Sequence, residues 1–101
     1  MSDRELDRPI GIETALVEHR RYIDRIDRTI VALLVERMRL GQALGELKRE
    51  LAWPTRSETR EAEVIEHVRT AATGPLSPRS AERIFTAIIA ETSALQVAGR
   101  E

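Results

Sequence analysis

Residues Ile12–Leu51 read IETALVEHRRYIDRIDRTIVALLVERMRLGQALGELKREL. Apolar side chains recur at Leu16, Ile23, Ile26, Ile30, Leu33, Leu34, Met38, Leu40, Leu44, Leu47 and Leu51. Steps of three, four and seven dominate, which is the spacing of one face of an α-helix. No proline interrupts the stretch, so the pattern predicts one helix of 40 residues. At 1.5 Å per residue such a helix spans roughly 60 Å, whereas a compact domain of 100 residues has a radius of gyration of about 13 Å. Two shorter helices of the same chain cannot cover most of so long a stripe, so either the helix is broken or a second chain covers it. The expected solution is an intertwined homodimer in which the long helices lie side by side.

Working outward, Trp53-Pro54 stops the first helix, because proline disfavours helical backbone in the residue before it. Thr55-Arg56-Ser57-Glu58 reads as the next helix start. Thr55 and Glu58 have capping-box spacing, with Ser57 as a competing cap. This helix is expected to run through Ala62, Val64, Ile65 and Val68 to about Ala71 or Ala72, where Thr73-Gly74-Pro75 breaks it. Ser77-Pro78 is a cap followed by proline at the first helical position. A third helix to about Ala98 follows, with Ala81, Ile84, Phe85, Ile88, Ile89 and Leu95 on its apolar side. The predicted fold class is all-α, three helices in a single domain over residues 1–101, with a flexible N-terminus over about residues 1–10.

Composition narrows the function classes. The chain has 101 residues, is 42% hydrophobic and has only three aromatic residues, Tyr22, Trp53 and Phe85. Sixteen basic and seventeen acidic residues give a net charge of −1, with no concentrated basic run, so nothing points to nucleic acid. There is no cysteine, His19 and His67 are isolated, and no metal site is expected. The opening MSDRELDRPIG lacks the apolar stretch of a signal peptide, and no apolar run is long enough to cross a membrane. The expected compartment is the cytoplasm.

Several polar residues sit inside the amphipathic pattern. Arg37 and Lys48 are eleven residues apart, about 20° from alignment on a helix, with Gly41 and Gly45 between them on nearly the same face. Two cations therefore flank a strip without side chains, a cradle suited to an anion. The glycines serve either close helix packing or clearance for a ligand, and the residues alone leave both readings open. Arg20, seventeen residues before Arg37, falls about 100° away and is expected to serve a partner's site. Against this stands the ordinary behaviour of Arg and Lys, which lay their stems on apolar surface and keep their charges in water. Thr92 and Gln96 share a face of the third helix. Asp27, semi-buried by pattern, is expected to form an ion pair with Arg20 or Arg28.

Taken in order, these elements resemble the all-α chorismate mutases from about Leu16 to Gln96. The blocks are Arg20-Arg21-Tyr22-Ile23-Asp24-Arg25-Ile26-Asp27, then Leu33-Leu34-Val35-Glu36-Arg37, then Gly45-Glu46-Leu47-Lys48. Pro54, the pair Arg60-Glu61, and Phe85-Thr86-Ala87-Ile88-Ile89-Ala90-Glu91-Thr92 ending in Gln96 complete the pattern. No single block is specific, and the resemblance rests on their order and spacing.

The resemblance implies roles for individual residues. Arg37 would clamp one substrate carboxylate and Arg20 of the other subunit the second. Lys48 and Gln96 would bond the ether oxygen that leaves, and Glu61 would hold the ring hydroxyl. Arg60 would support the clamp and its neighbouring acid. Ser57 stands where the family often has aspartate, and Thr92 replaces the usual serine, keeping a hydroxyl. The implied reaction is the rearrangement of chorismate to prephenate, a single pericyclic step that requires no cofactor. Positioning a flexible dianion and stabilising charge on the ether oxygen are the tasks involved. Planar arginines suit its carboxylates. The resemblance also implies an activating partner enzyme for some short members. Alternatives are an isochorismate-pyruvate lyase or 4-amino-4-deoxychorismate mutase on the same fold, and a non-catalytic helical dimerisation module.

Overall fold

The computed structural model describes residues 3–100, with side chains from Gly11 onward. The described residues form three helices: α1 (Asp3–Glu50), α2 (Glu58–Ala71) and α3 (Pro78–Ala98). No strand occurs among the described residues, and the fold class is all-α. α1 starts nine residues before the expected Ile12, because apolar periodicity marks only the amphipathic part of a helix. The expectation of a flexible terminus over about residues 1–10 falls on side chains outside the described residues.

The end of α1 is built by a left-handed turn ahead of Pro54. Ala52 adopts φ +57°. Trp53 N–H donates to the Lys48 carbonyl at 2.8 Å and Ala52 N–H to that of Arg49 at 3.1 Å. These two bonds form a Schellman motif, which satisfies carbonyls that the helix itself leaves unpaired. Helix α2 begins at Ser57, whose hydroxyl accepts from the Arg60 N–H at 3.2 Å. The competing cap thus prevails over the Thr55–Glu58 box. Ser77 caps α3 in the same way, accepting from the Ser80 N–H at 3.0 Å, with Pro78 in the first turn.

The described chain divides into two compact units, Met1–Glu36 and Arg37–Glu101. In the first unit Leu16, Ile23, Ile26, Ile30 and Leu33 are all exposed, at 46–58%. Asp27 is exposed too, and no ion pair to it occurs among the described residues. The expected pair with Arg20 or Arg28 does not form: Arg28 is the adjacent residue, about 100° round the helix, and Arg20 lies two turns away.

In the second unit the last turns of α1 pack on α3 through the two glycines. A Cβ at Gly41 would lie 2.5 Å from Thr92 Cγ2, and one at Gly45 would lie 3.0 Å from Gln96 Cγ. Two positions four apart on α1 thus receive two positions four apart on α3, in the same order along both helices. Close helix approach accounts for both glycines, with Thr92 and Gln96 filling the space, and Gly41 also borders a cleft in the same unit. Ala81 and Gln96 are the only buried residues of α2 and α3.

Candidate active site

Residues of α1, the α1–α2 connection, α2 and α3 enclose a cleft of about 220 Å³ in the second unit. It gathers Arg37, Lys48, Ser57, Arg60, Glu61, Thr92 and Gln96, seven of the eight residues expected from the sequence. Arg20, the eighth, belongs to the first unit, where its side chain is exposed.

Lys48 is held from two sides. Its ammonium donates to the Thr55 backbone carbonyl at 2.8 Å and to Gln96 Oε1 at 3.1 Å. An ammonium has three donors, so one remains for a ligand. Gln96 is 6% exposed and donates from Nε2 to the Gly41 carbonyl at 2.8 Å. Glycine at position 45 leaves the space beside Gln96 that a side chain would take.

Arg37 is half-buried and donates from Nη1 to Thr92 Oγ1 at 3.0 Å. Its guanidinium carbon also stands 6.0 Å from the centroid of the Phe85 ring. The Thr92 hydroxyl in turn donates to the Ile88 carbonyl at 2.9 Å, one turn back in α3. That bond turns the oxygen lone pairs toward Arg37. The remaining donors of the guanidinium fork are left for a planar anion.

The acid at position 61 is held differently from expectation. Arg56 Nε donates to Glu61 Oε2 at 2.8 Å and Arg56 Nη2 to Oε1 at 3.1 Å. Arg60, expected to support its neighbouring acid, is instead bonded to Glu63 at 3.2 Å. Adjacent helix residues diverge by about 100°, so Arg60 cannot face Glu61, whereas Arg56 precedes the helix and folds over its first turn. The hydrogen bonds and charge of Glu61 raise the pKa of Arg56 above its already high ordinary value. Arg56 also lines the cleft and was not singled out by sequence reading. Its spacing to Glu61 across a helix cap is the one available signal.

The cleft thus carries four basic side chains, Arg37, Lys48, Arg56 and Arg60, and one acid, Glu61. It suits a small, multiply anionic ligand. Among the described residues, no group of three or more His, Cys, Asp or Glu lies together as a metal site. No helix among them is long and apolar enough to cross a membrane.

Residues 19–97 match the family described as chorismate mutase type II. The chain belongs to that family. It is 35% identical over 85 residues to a bifunctional chorismate mutase/prephenate dehydratase of Neisseria gonorrhoeae, covering 84% of this chain and 23% of that protein. A bifunctional chorismate mutase/prephenate dehydratase of Aquifex aeolicus is 42% identical over 53 residues, covering 52% of this chain and 15% of that protein. The chain therefore spans less than a quarter of the length of these curated relatives. Among solved structures, chorismate mutase (form II) of Thermus thermophilus superposes with a TM-score of 0.79 at 30% identity, covering 81% of this chain and 93% of that one. A conserved hypothetical protein of Pyrococcus furiosus superposes at 0.70 with 31% identity, covering 82% and 96%.

Proposed function

We propose that this type II chorismate mutase family member converts chorismate to prephenate. The observation that carries the reading is the junction of Lys48 with Gln96 in the cleft that also holds Arg37. Chorismate is a dianion that must be folded into a chair-like shape before a C–O bond breaks and a C–C bond forms. Arg37 would take a carboxylate in its free donors. The remaining N–H of Lys48 and the second N–H of Gln96 would meet the ether oxygen as it gains negative charge. Both groups are already anchored, so little reorganisation accompanies the reaction. A cleft of about 220 Å³ lies below the roughly 300–1,000 Å³ of sites for drug-sized ligands, which fits a substrate of this size.

The working unit in this reading is a homodimer with shared sites, active in the cytoplasm, in which both units of each chain act together as one domain. The exposed stripe from Leu16 to Leu33 supports it, since monomers rarely leave so continuous an apolar face in water. Arg20 of the partner subunit would supply the second carboxylate clamp. An activating partner enzyme belongs to the same reading and would be detected as a rise in turnover when other enzymes that use chorismate are added.

Loss of chorismate absorbance on addition of pure protein, with prephenate identified as product, tests the activity. Parallel incubation with isochorismate and aminodeoxychorismate separates the mutase from a lyase or from an enzyme specific for the amino-bearing ring. If none of the three is consumed, and Arg37→Ala and Lys48→Ala leave ligand binding unchanged, the chain is a dimerisation module instead.

A further inference from the structure

We infer that Arg56 is a positioning residue of the cleft, one that sets the direction of the Glu61 carboxylate and offsets its charge for an anionic substrate. This rests on the reading of the cleft proposed above. Surface ion pairs commonly contribute little, and Arg56 itself is 66% exposed. Three features separate this pair from an ordinary one. Its geometry is a two-point fork, with both nitrogens bonded to separate carboxylate oxygens at 2.8 and 3.1 Å. Its acid is only 25% exposed and faces the cleft. The two residues also border a second opening, lined by Ile65, Thr86 and Ala90 among others.

The last feature makes orientation a real variable. Glu61 has two openings toward which its carboxylate can turn, and a carboxylate on a flexible stem would divide its time between them. The guanidinium plane holds both oxygens at once and selects one direction. Each oxygen keeps a further lone pair for a ligand hydroxyl. Charge is the second consequence. Glu61 is the one acid among the residues lining the cleft. Left uncompensated, it would repel the dianion that Arg37 and Lys48 attract. With the uncharged Ser57 one helical turn earlier, Glu61 is also the single carboxylate of the cleft available to a ring hydroxyl there. Arg56 lets it remain an ionised acceptor at low electrostatic cost to substrate binding.

The test is a cycle of Arg56→Met, Glu61→Gln and the double variant, with Arg56→Lys beside them, read as KM and kcat for chorismate. Arg56→Met is expected to raise KM about fivefold, the upper end for an exposed pair, while kcat changes less than about twofold. Adding Glu61→Gln to Arg56→Met should bring KM back toward that of Glu61→Gln alone, because the amide removes the charge that Arg56 offsets. Arg56→Lys, which keeps charge and loses the fork, should fall between. In the free wild-type protein, the Arg56 Nε–H should be protected from solvent exchange in NMR spectra and lose that protection in Glu61→Gln. An unchanged KM in Arg56→Met with wild-type turnover intact overturns this inference alone, as does an Arg56→Met effect on KM that is as large in the Glu61→Gln background as in the wild type, or an unprotected Nε–H. Absence of wild-type turnover of chorismate overturns the underlying reading of the cleft, and the inference with it.

Discussion

Gln96 donates from Nε2 to the backbone carbonyl of Gly41 while its Oε1 accepts from Lys48, so the two ends of one buried amide bind opposite partners. A carbonyl can only accept and an ammonium can only donate, so the amide has one orientation. This gives a first prediction. In Gln96→Glu an ionised carboxylate would set an oxygen against the Gly41 carbonyl, and only the protonated acid restores the donor. Burial and the Gly41 carbonyl favour the protonated form, while Lys48, 3.1 Å from Oε1, favours the ionised one; the first two are expected to prevail and raise the pKa of the introduced acid. Stability from that bond is present below the unfolded-state pKa and lost as pH rises through the folded one. The wild type should hold kcat/KM nearly flat from neutral to mildly alkaline pH. Gln96→Glu should lose about tenfold per pH unit above its pKa. A pH profile of kcat/KM for both proteins decides it, and a parallel pair of profiles would count against the assignment.

Gly41 faces the methyl of Thr92, and this makes the pair a second test. A Cβ at position 41 would stand 2.5 Å from Thr92 Cγ2, the branched end of a short, stiff side chain. Alanine improves helix propensity by up to about 1 kcal/mol, but overpacking costs about 1–3 kcal/mol. Gly41→Ala should therefore be destabilising in urea titration and should lower kcat/KM by shifting the Arg37 anchor. Thr92→Ser removes the obstructing methyl and keeps the hydroxyl that Arg37 uses. The double variant should recover most of both losses. If it does not, helix approach at Gly41 is not what limits the site.

Much of this is legible in the sequence, and the reasons differ by element. Helices α2 and α3 announce themselves through local chemistry, since Ser57 and Ser77 cap them and Gly74-Pro75 separates them. The company of Arg37 and Lys48 follows from the angular period of a single helix. The role of Gly41 and Gly45 does not, because it depends on Thr92 and Gln96 of α3, each 51 residues further along the chain. Arg56 was missed for a related reason. It lies in a connection with no periodicity, and only the path of the turn reveals that it folds back onto Glu61. Asp27 shows the opposite error, a pattern-based burial assigned to a residue that lies exposed on its helix.

The turn at Ala52 offers a third prediction, about stability rather than catalysis. Its φ of +57° is a conformation that costs a residue with a Cβ roughly 1–2 kcal/mol. Glycine removes that cost and forfeits part of the gain to the entropy of the unfolded chain. Ala52→Gly should stabilise by about 0.5–1 kcal/mol, whereas Ala52→Val should destabilise by more than about 1 kcal/mol. Urea titrations at one fixed protein concentration measure both. Because the Trp53 N–H to Lys48 carbonyl bond is retained in Ala52→Gly, kcat should stay within about twofold of wild type. A destabilised glycine variant would mean that the left-handed turn carries no strain.

The last prediction concerns Arg20, which the proposed reading assigns to the partner's site while Arg37 serves the site of its own chain. If each site takes Arg37 from one chain and Arg20 from the other, Arg20→Ala and Arg37→Ala should each be nearly inactive alone. A mixed dimer of the two variants then holds one site with both arginines intact and one site lacking both. Random exchange makes about half the dimers mixed, so about a quarter of all sites should regain activity. Turnover of an equimolar mixture, after exchange at a concentration that permits dissociation, should approach that fraction of wild type. It should also depend on the mixing ratio, with its maximum at equal amounts. A mixture no more active than the sum of its parts would place both arginines in the service of a single chain, and the exposed stripe from Leu16 to Leu33 would then need an occupant that adds nothing to the site.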